Sequence, residues 1–177
     1  MEKADSAVLL IEKTPAGPLL LMAGKSGITK LCFCDLEVFS HLLSGQNFQI
    51  KDERYEMLRE AAQQLKAYFN GTRKRFDLHI DISHVPEFTR KVLVAVMDIP
   101  YGSVQSYGGI AGIIDYPESA RAVGGVLASN PIPIIIPCHR VVSSLGEMHG
   151  YSAPGGIGLK AWLLRHEGLR VTNNRVM

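Results

Sequence analysis

The sequence predicts an α+β protein in which a small antiparallel sheet with a helix precedes a mainly helical domain. Two observations carry this prediction. Between Ala7 and Cys34, short apolar runs are separated by proline and glycine, which is typical of strands joined by turns. After residue 84, apolar residues recur at helical spacing. We therefore place an N-terminal α/β domain at residues 1–84 and a C-terminal domain at residues 85–177.

The N-terminal domain begins with three predicted strands, "AVLLIEK", "LLLMA" and "ITKLCFC", for which an antiparallel meander is the simplest arrangement. The run "DLEVFSHLLSG" predicts a short helix. Apolar residues between Glu53 and Phe69 share one helical face, which predicts a longer helix that ends at "NGT". The alternation in "RFDLHIDI" predicts a half-buried strand.

The C-terminal domain begins with a predicted helix from Phe88 to Ile99, with Pro86 near its start and Pro100 at its end. The run "SYGGIAGIIDYPESARAVGGVLAS" predicts a helix-turn-helix over about residues 104–128, whose second helix begins near Pro117. The prolines of "IPIIIPC" disfavour a helix or a central strand there. We expect an extended, buried segment instead.

Composition limits the class of protein. A chain of 177 residues with 46% hydrophobic residues can bury a core, and a net charge of +2 does not by itself indicate nucleic-acid binding. No apolar run reaches the roughly 18 residues that a membrane-spanning helix needs. The start "MEKADS" does not resemble a secretory signal. We expect no membrane association and a cytoplasmic location, or a nuclear one in a eukaryote.

The chain has three cysteines, an odd number that argues against a disulfide framework. Cys32 and Cys34, together with His41, His79 and His84, are candidate zinc ligands. Zinc sites typically space their cysteines by two to four residues, whereas a single residue separates these two. The histidines follow no ligand spacing either. We therefore expect buried apolar cysteines and no metal.

Cys138 follows the apolar segment in "NPIPIIIPCHRVV" and precedes His139 and Arg140. A thiol becomes a strong nucleophile only as the thiolate, so a nearby base or positive charge must lower its pKa from about 8.5. Adjacency in sequence does not establish contact, because neighbouring side chains on an extended segment point to opposite sides. Taken alone, a buried cysteine is more commonly a small core residue.

Five blocks of sequence around Cys138 occur in a specific order: "PYGSVQSYGGIA", "SARAVGGVLASN", "NPIPIIIPCHRVV", "GYS" and "KAWLLRHEG". They cover roughly residues 86–168 and together resemble the O6-alkylguanine-DNA alkyltransferases, also called methylated-DNA–protein-cysteine methyltransferases. The N-terminal half resembles this family only in size and in its mix of strand and helix. The resemblance implies irreversible, single-turnover transfer of an alkyl group from guanine O6 in double-stranded DNA to Cys138, with thymine O4 left open as a second substrate. It implies no cofactor.

The resemblance also implies the roles of four residues near the thiol. His139 takes the thiol proton through a water, and Glu167 orients the imidazole. Tyr107 donates a proton to the purine, and Asn130 ties the turn before the active-site segment to the rest of the fold. Without the resemblance, Glu167 would be interpreted as a solvated charge and Tyr107 as a packing residue.

A buried thiol cannot reach a base inside the duplex, so the nucleotide must rotate out of the stack. In the family, the arginine of "RAVG" replaces the flipped nucleotide, a role that the resemblance assigns to Arg121; a phosphate contact or an ordinary surface arginine is the alternative. The resemblance implies binding in the minor groove, with the small residues Ser119 and Ala120 resting against the groove rather than reading bases. We also expect Tyr107 and the small Gly124 to contact DNA. We expect a monomer.

For the extrahelical guanine, the resemblance implies main-chain acceptors at Cys138 and Val141 and a backbone donor at Ser152. Tyr151 forms the pocket wall, and Lys160 braces the active-site loop. The intervening run "SAPGGIGL" is longer by about two residues than the commoner family pattern, and its proline and glycines predict a mobile lid.

Three other functions stay open: a non-catalytic protein that binds alkylated DNA, a Cys-His hydrolase, and a transcription factor built on the helix-turn-helix. The first would lack the reactive cysteine. The second would need an oxyanion hole and leaves the "RAVGG" helix unexplained.

Overall fold

The computed structural model describes residues 6–34 and 53–177. The chain divides into two compact units, Met1–Ile82 and Ser83–Met177. The first contains an antiparallel sheet with a helix, and the second is mainly helical. The predicted α+β class is therefore confirmed.

The first unit contains a three-stranded antiparallel sheet in the order β1-β2-β3, formed by β1 (Ala7–Ile11), β2 (Leu19–Gly24) and β3 (Gly27–Phe33). The three predicted strands are confirmed. Leu21, at the centre of the middle strand, is fully buried. Burial of such apolar residues stabilises the sheet against the helix that follows.

Helix α1 (Glu53–Phe69) packs against β1 and β2. Its buried face is the one that the apolar spacing predicts, and it includes Leu58, Leu65 and Tyr68. The helix ends before Gly71, whose φ of 74° lies in the left-handed region that terminates helices. The helix predicted in "DLEVFSHLLSG" lies outside the described residues.

The strand predicted in "RFDLHIDI" is wrong: the segment makes one isolated bridge, between Ile80 and Ile28 at the start of β3. The His79 carbonyl and the Asp81 N–H bond to the backbone of Ile28, whereas the backbone of Asp77 bonds to a side chain. The Asp77 N–H donates to Oε1 of the buried Gln64 at 2.9 Å, and Gln64 Nε2 donates back to the Asp77 carbonyl at 2.8 Å. A buried amide therefore replaces a neighbouring strand for this part of the segment, and the alternating pattern does not form a ladder.

The second unit contains four helices among the described residues: α2 (Glu87–Met97), α3 (Tyr107–Ile113), α4 (Ala120–Ala128) and α5 (Gly156–His166). Helix α2 begins directly after Pro86, which confirms the helix predicted there.

Helices α3 and α4 pack on each other and against α2, and they form the predicted helix-turn-helix. Helix α3 begins with a side-chain cap, because Ser106 Oγ accepts the Gly109 N–H at 2.9 Å. The start of the second helix differs from the prediction, since α4 begins at Ala120 and not near Pro117. The intervening turn, in which Asp115 has a φ of 64°, takes up the additional residues.

Two pairs of short strands also occur in the second unit, and neither pair was predicted from the sequence. Strand β4 (Gln105–Ser106) pairs in parallel with β5 (Val141–Val142), and β6 (Val171–Thr172) pairs antiparallel with β7 (Arg175–Val176). The first pair joins the start of the helix-turn-helix to the residues that follow Cys138. Across the described ranges, no helix has both the length and the hydrophobicity that crossing a bilayer requires.

The "IPIIIPC" segment is buried, as predicted, but it is turned rather than extended. Ile134 has a φ of 73°, and the Ile136 N–H donates to the Ile132 carbonyl at 2.9 Å. A left-handed conformation costs a β-branched residue of order 1–3 kcal/mol. Ile134 is fully buried, and its packing in the core opposes that cost.

Candidate active site

Cys138 begins a 3₁₀ helix, Cys138–Arg140, directly after the buried turn, and it is 5% exposed. The sequence left the directions of the next two side chains open, because neighbours on an extended segment diverge. In the 3₁₀ helix, His139 and Arg140 instead both bond to the carboxylate of Glu167. Two neighbouring residues thus converge on one acid from a distant part of the chain.

The Glu167 carboxylate is buried just beyond α5 and accepts several hydrogen bonds. Its Oε1 lies 2.7 Å from His139 Nε2 and accepts from Arg140 Nη2 at 2.9 Å. Its Oε2 accepts from Arg140 Nε at 2.8 Å and from the Gly102 N–H at 3.3 Å. Burial alone would raise the pKa of Glu167, but the hydrogen bonds from His139 and Arg140 lower it to about 2. The group is therefore a carboxylate at neutral pH.

The His139 side chain is fully buried, and burial lowers its pKa below the usual value of 6.5. The cations Arg140 and Lys160 lower it further, against the opposing effect of Glu167. A neutral imidazole that faces a carboxylate through Nε2 carries its proton there. Nδ1, which has no hydrogen-bond partner among the described residues, is then the basic atom.

Burial also raises the pKa of the Cys138 thiol. Asn130, Lys160 and Tyr151 each oppose this effect without reversing it. The resting sulfur therefore keeps its proton at neutral pH, and a base must remove it before the sulfur can act as a nucleophile.

Cys138 lies on the wall of a cavity of about 260 Å³. Six of the residues predicted for the site line it: Tyr107, Gly124, Cys138, Tyr151, Ser152 and Lys160. Three further lining residues were not identified from the sequence: Leu127, Ala128 and Gly150. Pairing of β4 with β5 brings the phenol at the start of α3 to the cysteine segment.

The two tyrosines in this cavity are protonated phenols at neutral pH. Burial raises the pKa of Tyr107, and a negative charge at Cys138 would raise it further. Burial and Cys138 raise the pKa of Tyr151 well above 10.0. The Tyr151 hydroxyl is buried beside the sulfur but makes no hydrogen bond of ordinary geometry to any described residue.

Lys160, on α5, is almost fully buried, and its Nζ donates to the Val141 carbonyl at 2.6 Å. Burial lowers the pKa of Lys160 to about 8. The Cys138 carbonyl in turn accepts the Val141 N–H. Both main-chain acceptors predicted for the guanine thus hold one hydrogen bond already, and each carbonyl oxygen can accept a second.

Asn130 spans the buried turn that precedes Cys138. Its Nδ2 donates to the Ile136 carbonyl at 2.9 Å, and its Oδ1 accepts the Ile132 N–H at 3.0 Å. One side chain therefore satisfies a backbone donor and a backbone acceptor inside the core. Asn130 thus bridges Ile132 and Ile136 across this turn.

Four of the five residues predicted to contact DNA lie on α4 or directly before it, and the fifth, Tyr107, begins α3. Arg121 is exposed and does not line the cavity, and neither do Ser119 and Ala120. Gly124, farther along the same helix, does line it. Helix α4 thus connects an exposed cation to the cavity that holds the thiol.

The position of Arg140 is the main feature of the site that the sequence did not predict, since its spacing indicates only a cation near the thiol. Arg140 is buried, and its Nη1 donates to the Ile99 carbonyl at 2.7 Å. Tyr101 lies against it, with the guanidinium 5.9 Å from the ring centroid. An arginine inside the apolar run "IIIPCHRVV" could have indicated this arrangement, because a buried arginine needs a carboxylate partner.

The candidate zinc ligands give no cluster in the part of the chain that the structure describes, where no three His, Cys, Asp or Glu side chains are arranged to hold a metal ion. His41 lies outside the described residues. Burial raises the pKa of Cys32, which disfavours the thiolate that would bind zinc.

Two family models match the chain, and together they cover most of it. Residues 10–82 match "6-O-methylguanine DNA methyltransferase, ribonuclease-like domain", and residues 87–169 match "6-O-methylguanine DNA methyltransferase, DNA binding domain". The first match extends the family resemblance to the N-terminal half. The motifs in the sequence had indicated, for that half, a resemblance only in size and in the mix of strand and helix.

Individual relatives agree with these models. The methylated-DNA–protein-cysteine methyltransferase of Methanosarcina acetivorans is 37% identical over 161 residues, which are 89% of this chain and 96% of that one. The crystal structure of Mycobacterium tuberculosis O6-methylguanine methyltransferase has a TM-score of 0.75 at 35% identity, over 95% of this chain and 96% of the other. A structure of Mycobacterium tuberculosis OGT in complex with DNA gives a TM-score of 0.74 at 35% identity, over 92% and 93% of the two chains. The chain therefore belongs to the family of the methylated-DNA–protein-cysteine methyltransferases.

Proposed function

We propose that this chain repairs alkylated DNA by moving an alkyl group from O6 of guanine to the sulfur of Cys138. The carbon–oxygen bond at O6 breaks and a carbon–sulfur bond forms, while the thiol proton leaves and the departing guanine gains a proton. One observation carries the proposal: Cys138 lines a cavity and is followed by the buried His139, whose Nε2 bonds to the carboxylate of Glu167. The thioether is stable, so each molecule reacts once.

The base in this scheme is His139. Its Nδ1 accepts the thiol proton through a water, while Nε2–H stays bonded to Glu167, which remains ionised and stabilises the imidazolium that forms. General-base catalysis of this kind contributes about 10²–10⁴ in rate. Because the resting thiol is protonated, the thiolate is generated only when this relay removes its proton.

The acid in this scheme is Tyr107, which donates to the purine as negative charge develops on it. Its raised pKa keeps it protonated, which supports a donor role. The carbonyls of Cys138 and Val141 accept from the guanine amino group, and the Ser152 backbone donates to O6. Tyr151 forms the pocket wall, and Lys160 holds Val141 in place.

Residues 85–177 carry both the chemistry and DNA binding in this proposal, and residues 1–84 form a separate domain. Helix α4 enters the minor groove, where Ser119, Ala120 and Gly124 let the backbone come close. Arg121 fills the gap that the flipped nucleotide leaves. A similar protein, Mycobacterium tuberculosis OGT, has been solved in complex with DNA, which supports a DNA partner. We also infer a monomer in the cytoplasm, or in the nucleus of a eukaryote, without membrane association.

The test is an intact-mass measurement after incubation with a duplex that contains O6-methylguanine. We expect the mass of one methyl group, located by peptide mapping on the peptide that contains Cys138. Cys138→Ala should bind the duplex and show no gain in mass. A protein that binds the duplex without gaining mass would be a non-catalytic alkylated-DNA-binding protein, and that result would refute the proposal.

A further inference from the structure

Arg140 is a buried cation in a fixed position. Its Nε and Nη2 donate to the two oxygens of Glu167 at 2.8 and 2.9 Å, and its Nη1 donates to the Ile99 carbonyl at 2.7 Å. The residue is 5% exposed. A bidentate arginine pair of this kind fixes the carboxylate in both position and orientation.

The carboxylate of Glu167 is shared between Arg140 and His139. Oε1 accepts from Arg140 and also lies 2.7 Å from His139 Nε2, while Oε2 bonds to Arg140 and to the Gly102 N–H. A buried carboxylate that faced the imidazole without another cation would favour the imidazolium form. An imidazolium has no lone pair at Nδ1 and cannot accept a proton from a thiol.

We propose that Arg140 is a positioning residue that balances the charge of Glu167 and thereby keeps His139 neutral, with Nδ1 able to accept the proton of Cys138. This inference rests on the proposed function, because it explains how the base in that reaction stays unprotonated. It also gives a role to Arg140, a buried cation whose hydrogen bonds go to Glu167 and to the Ile99 carbonyl and not to the thiol.

Several other charged or titratable groups face this pair, and one of them, Lys160, also lowers the pKa of His139. Helix α5 contributes Lys160, whose Nζ bonds to the Val141 carbonyl and not to the carboxylate. Tyr101, in the loop after α2, lies against the guanidinium. The thiol of Cys138 and the phenol of Tyr151 are neutral at pH 7, because their pKa values are raised. Arg140, by contrast, donates directly to both oxygens of the Glu167 carboxylate.

The test compares Arg140→Met, which removes the charge, with Arg140→Lys, which keeps it. Protonation of His139 is followed by ¹⁵N NMR of histidine-labelled protein without DNA, with the signal assigned by loss in His139→Gln. Methyl transfer is followed in single-turnover reactions from about pH 5.5 to 8.5, around the range in which histidine titrates.

We expect the midpoint of His139 protonation to rise by about one pH unit in Arg140→Met. At a pH below the wild-type midpoint, the neutral imidazole is then about tenfold less populated. Transfer should therefore be about tenfold slower at low pH and should recover toward the wild-type rate at high pH. In Arg140→Lys, the midpoint of the His139 NMR titration and the midpoint of the pH dependence of methyl transfer should both stay close to the wild-type values. Fluorescence of Trp162 in α5 reports whether each variant is folded.

Equal slowing of Arg140→Met at every pH, with an unchanged His139 midpoint, would overturn the inference and leave Arg140 a purely structural residue. Should Arg140→Met not fold, Glu167→Gln and the double variant Arg140→Met/Glu167→Gln decide the matter. The midpoint of His139 protonation must then be lower in Glu167→Gln, which retains Arg140, than in the double variant. Equal midpoints in the two would overturn the inference. Failure of the wild-type protein to transfer methyl would contradict the proposed function instead, and the NMR comparison would still test Arg140.

Discussion

The Nε2 atom of His139 lies 2.7 Å from Oε1 of Glu167, and both side chains are fully buried. The burial of this pair links chemistry to stability. Each group has a lower pKa in the folded protein than in the unfolded chain, so the unfolded chain binds more protons as the pH falls. Acid should therefore destabilise the second unit through the same residues that form the base.

Stability of the second unit should decrease as the pH falls through about 6.5, where a histidine in an unfolded chain is half protonated. Glu167 adds to the loss below its ordinary pKa of 4.5, down to the folded value of about 2. Each proton contributes a slope of up to about 1.4 kcal/mol per pH unit. Urea unfolding followed by Trp162, the single tryptophan, measures this at several pH values. In His139→Gln, the slope between about pH 6.5 and 5 should be smaller; an identical slope would contradict the assignment.

Lys160→Met should make the Cys138 thiol less acidic. The ammonium lowers the pKa of Cys138, so its removal leaves the opposing effect of burial unbalanced. We expect alkylation by iodoacetamide at neutral pH to slow by about threefold to tenfold, since the rate follows the thiolate fraction. Peptide mass spectrometry of the Cys138 peptide gives the rate. Lys66→Met, which removes an exposed lysine from α1, is the matched control and should react like the wild type.

Asn130→Ala should destabilise the turn before Cys138. The change leaves the Ile132 N–H and the Ile136 carbonyl without their partner inside the core. An unsatisfied buried group costs about 1–3 kcal/mol, so the free energy of unfolding in urea should fall by at least that amount. Ser129→Ala, which removes an exposed hydroxyl next to it, should change stability by much less. Equal losses in the two variants would show that Asn130 does not hold the turn.

Arg121→Ala should slow transfer from duplex DNA by about tenfold or more, because flipping a nucleotide costs a few kcal/mol that the inserted side chain offsets. Reaction of Cys138 with iodoacetamide should not change, since Arg121 does not line the cavity. The two rates are compared in the same preparation, with Arg170→Ala as a control for the loss of an exposed arginine. Slower reaction with iodoacetamide would show that Arg121 acts on the thiol and not on the DNA.

Local patterns in the sequence predict most elements of the fold. The strands β1 to β3 and the helices α1 and α2 follow from hydrophobic spacing and from proline and glycine positions, because each pattern lies within one element. The alternation in residues 75–82 failed as a guide, since the buried side chain of Gln64 supplies hydrogen bonds there that a strand would supply. Such a partner comes from another element, and its position depends on the tertiary fold.

The candidate site was predictable in part. Six predicted residues line one cavity, which only the order of the family blocks could indicate, because these residues come from five separate stretches of the chain. The left-handed turn at Ile134 has no local signal, since glycine or asparagine would be the usual residue there. The pairing of Arg140 with Glu167 and Ile99 depends on the fold that brings residues 99, 140 and 167 together.

Helix α5 and the residue that follows it hold the cysteine segment at two points, with Lys160 on Val141 and Glu167 on His139 and Arg140. The two anchors are separated by about two helical turns, so the helix acts as a spacer of set length and phase. Loss of one residue between them would rotate the carboxylate by about 100° and shift it by about 1.5 Å. The run "SAPGGIGL" begins before the first anchor, so the loop ahead of α5 can gain residues without disturbing that spacing. Insertions or deletions ahead of Lys160 should accordingly be tolerated. Insertions or deletions between residues 161 and 166 should abolish alkyl transfer.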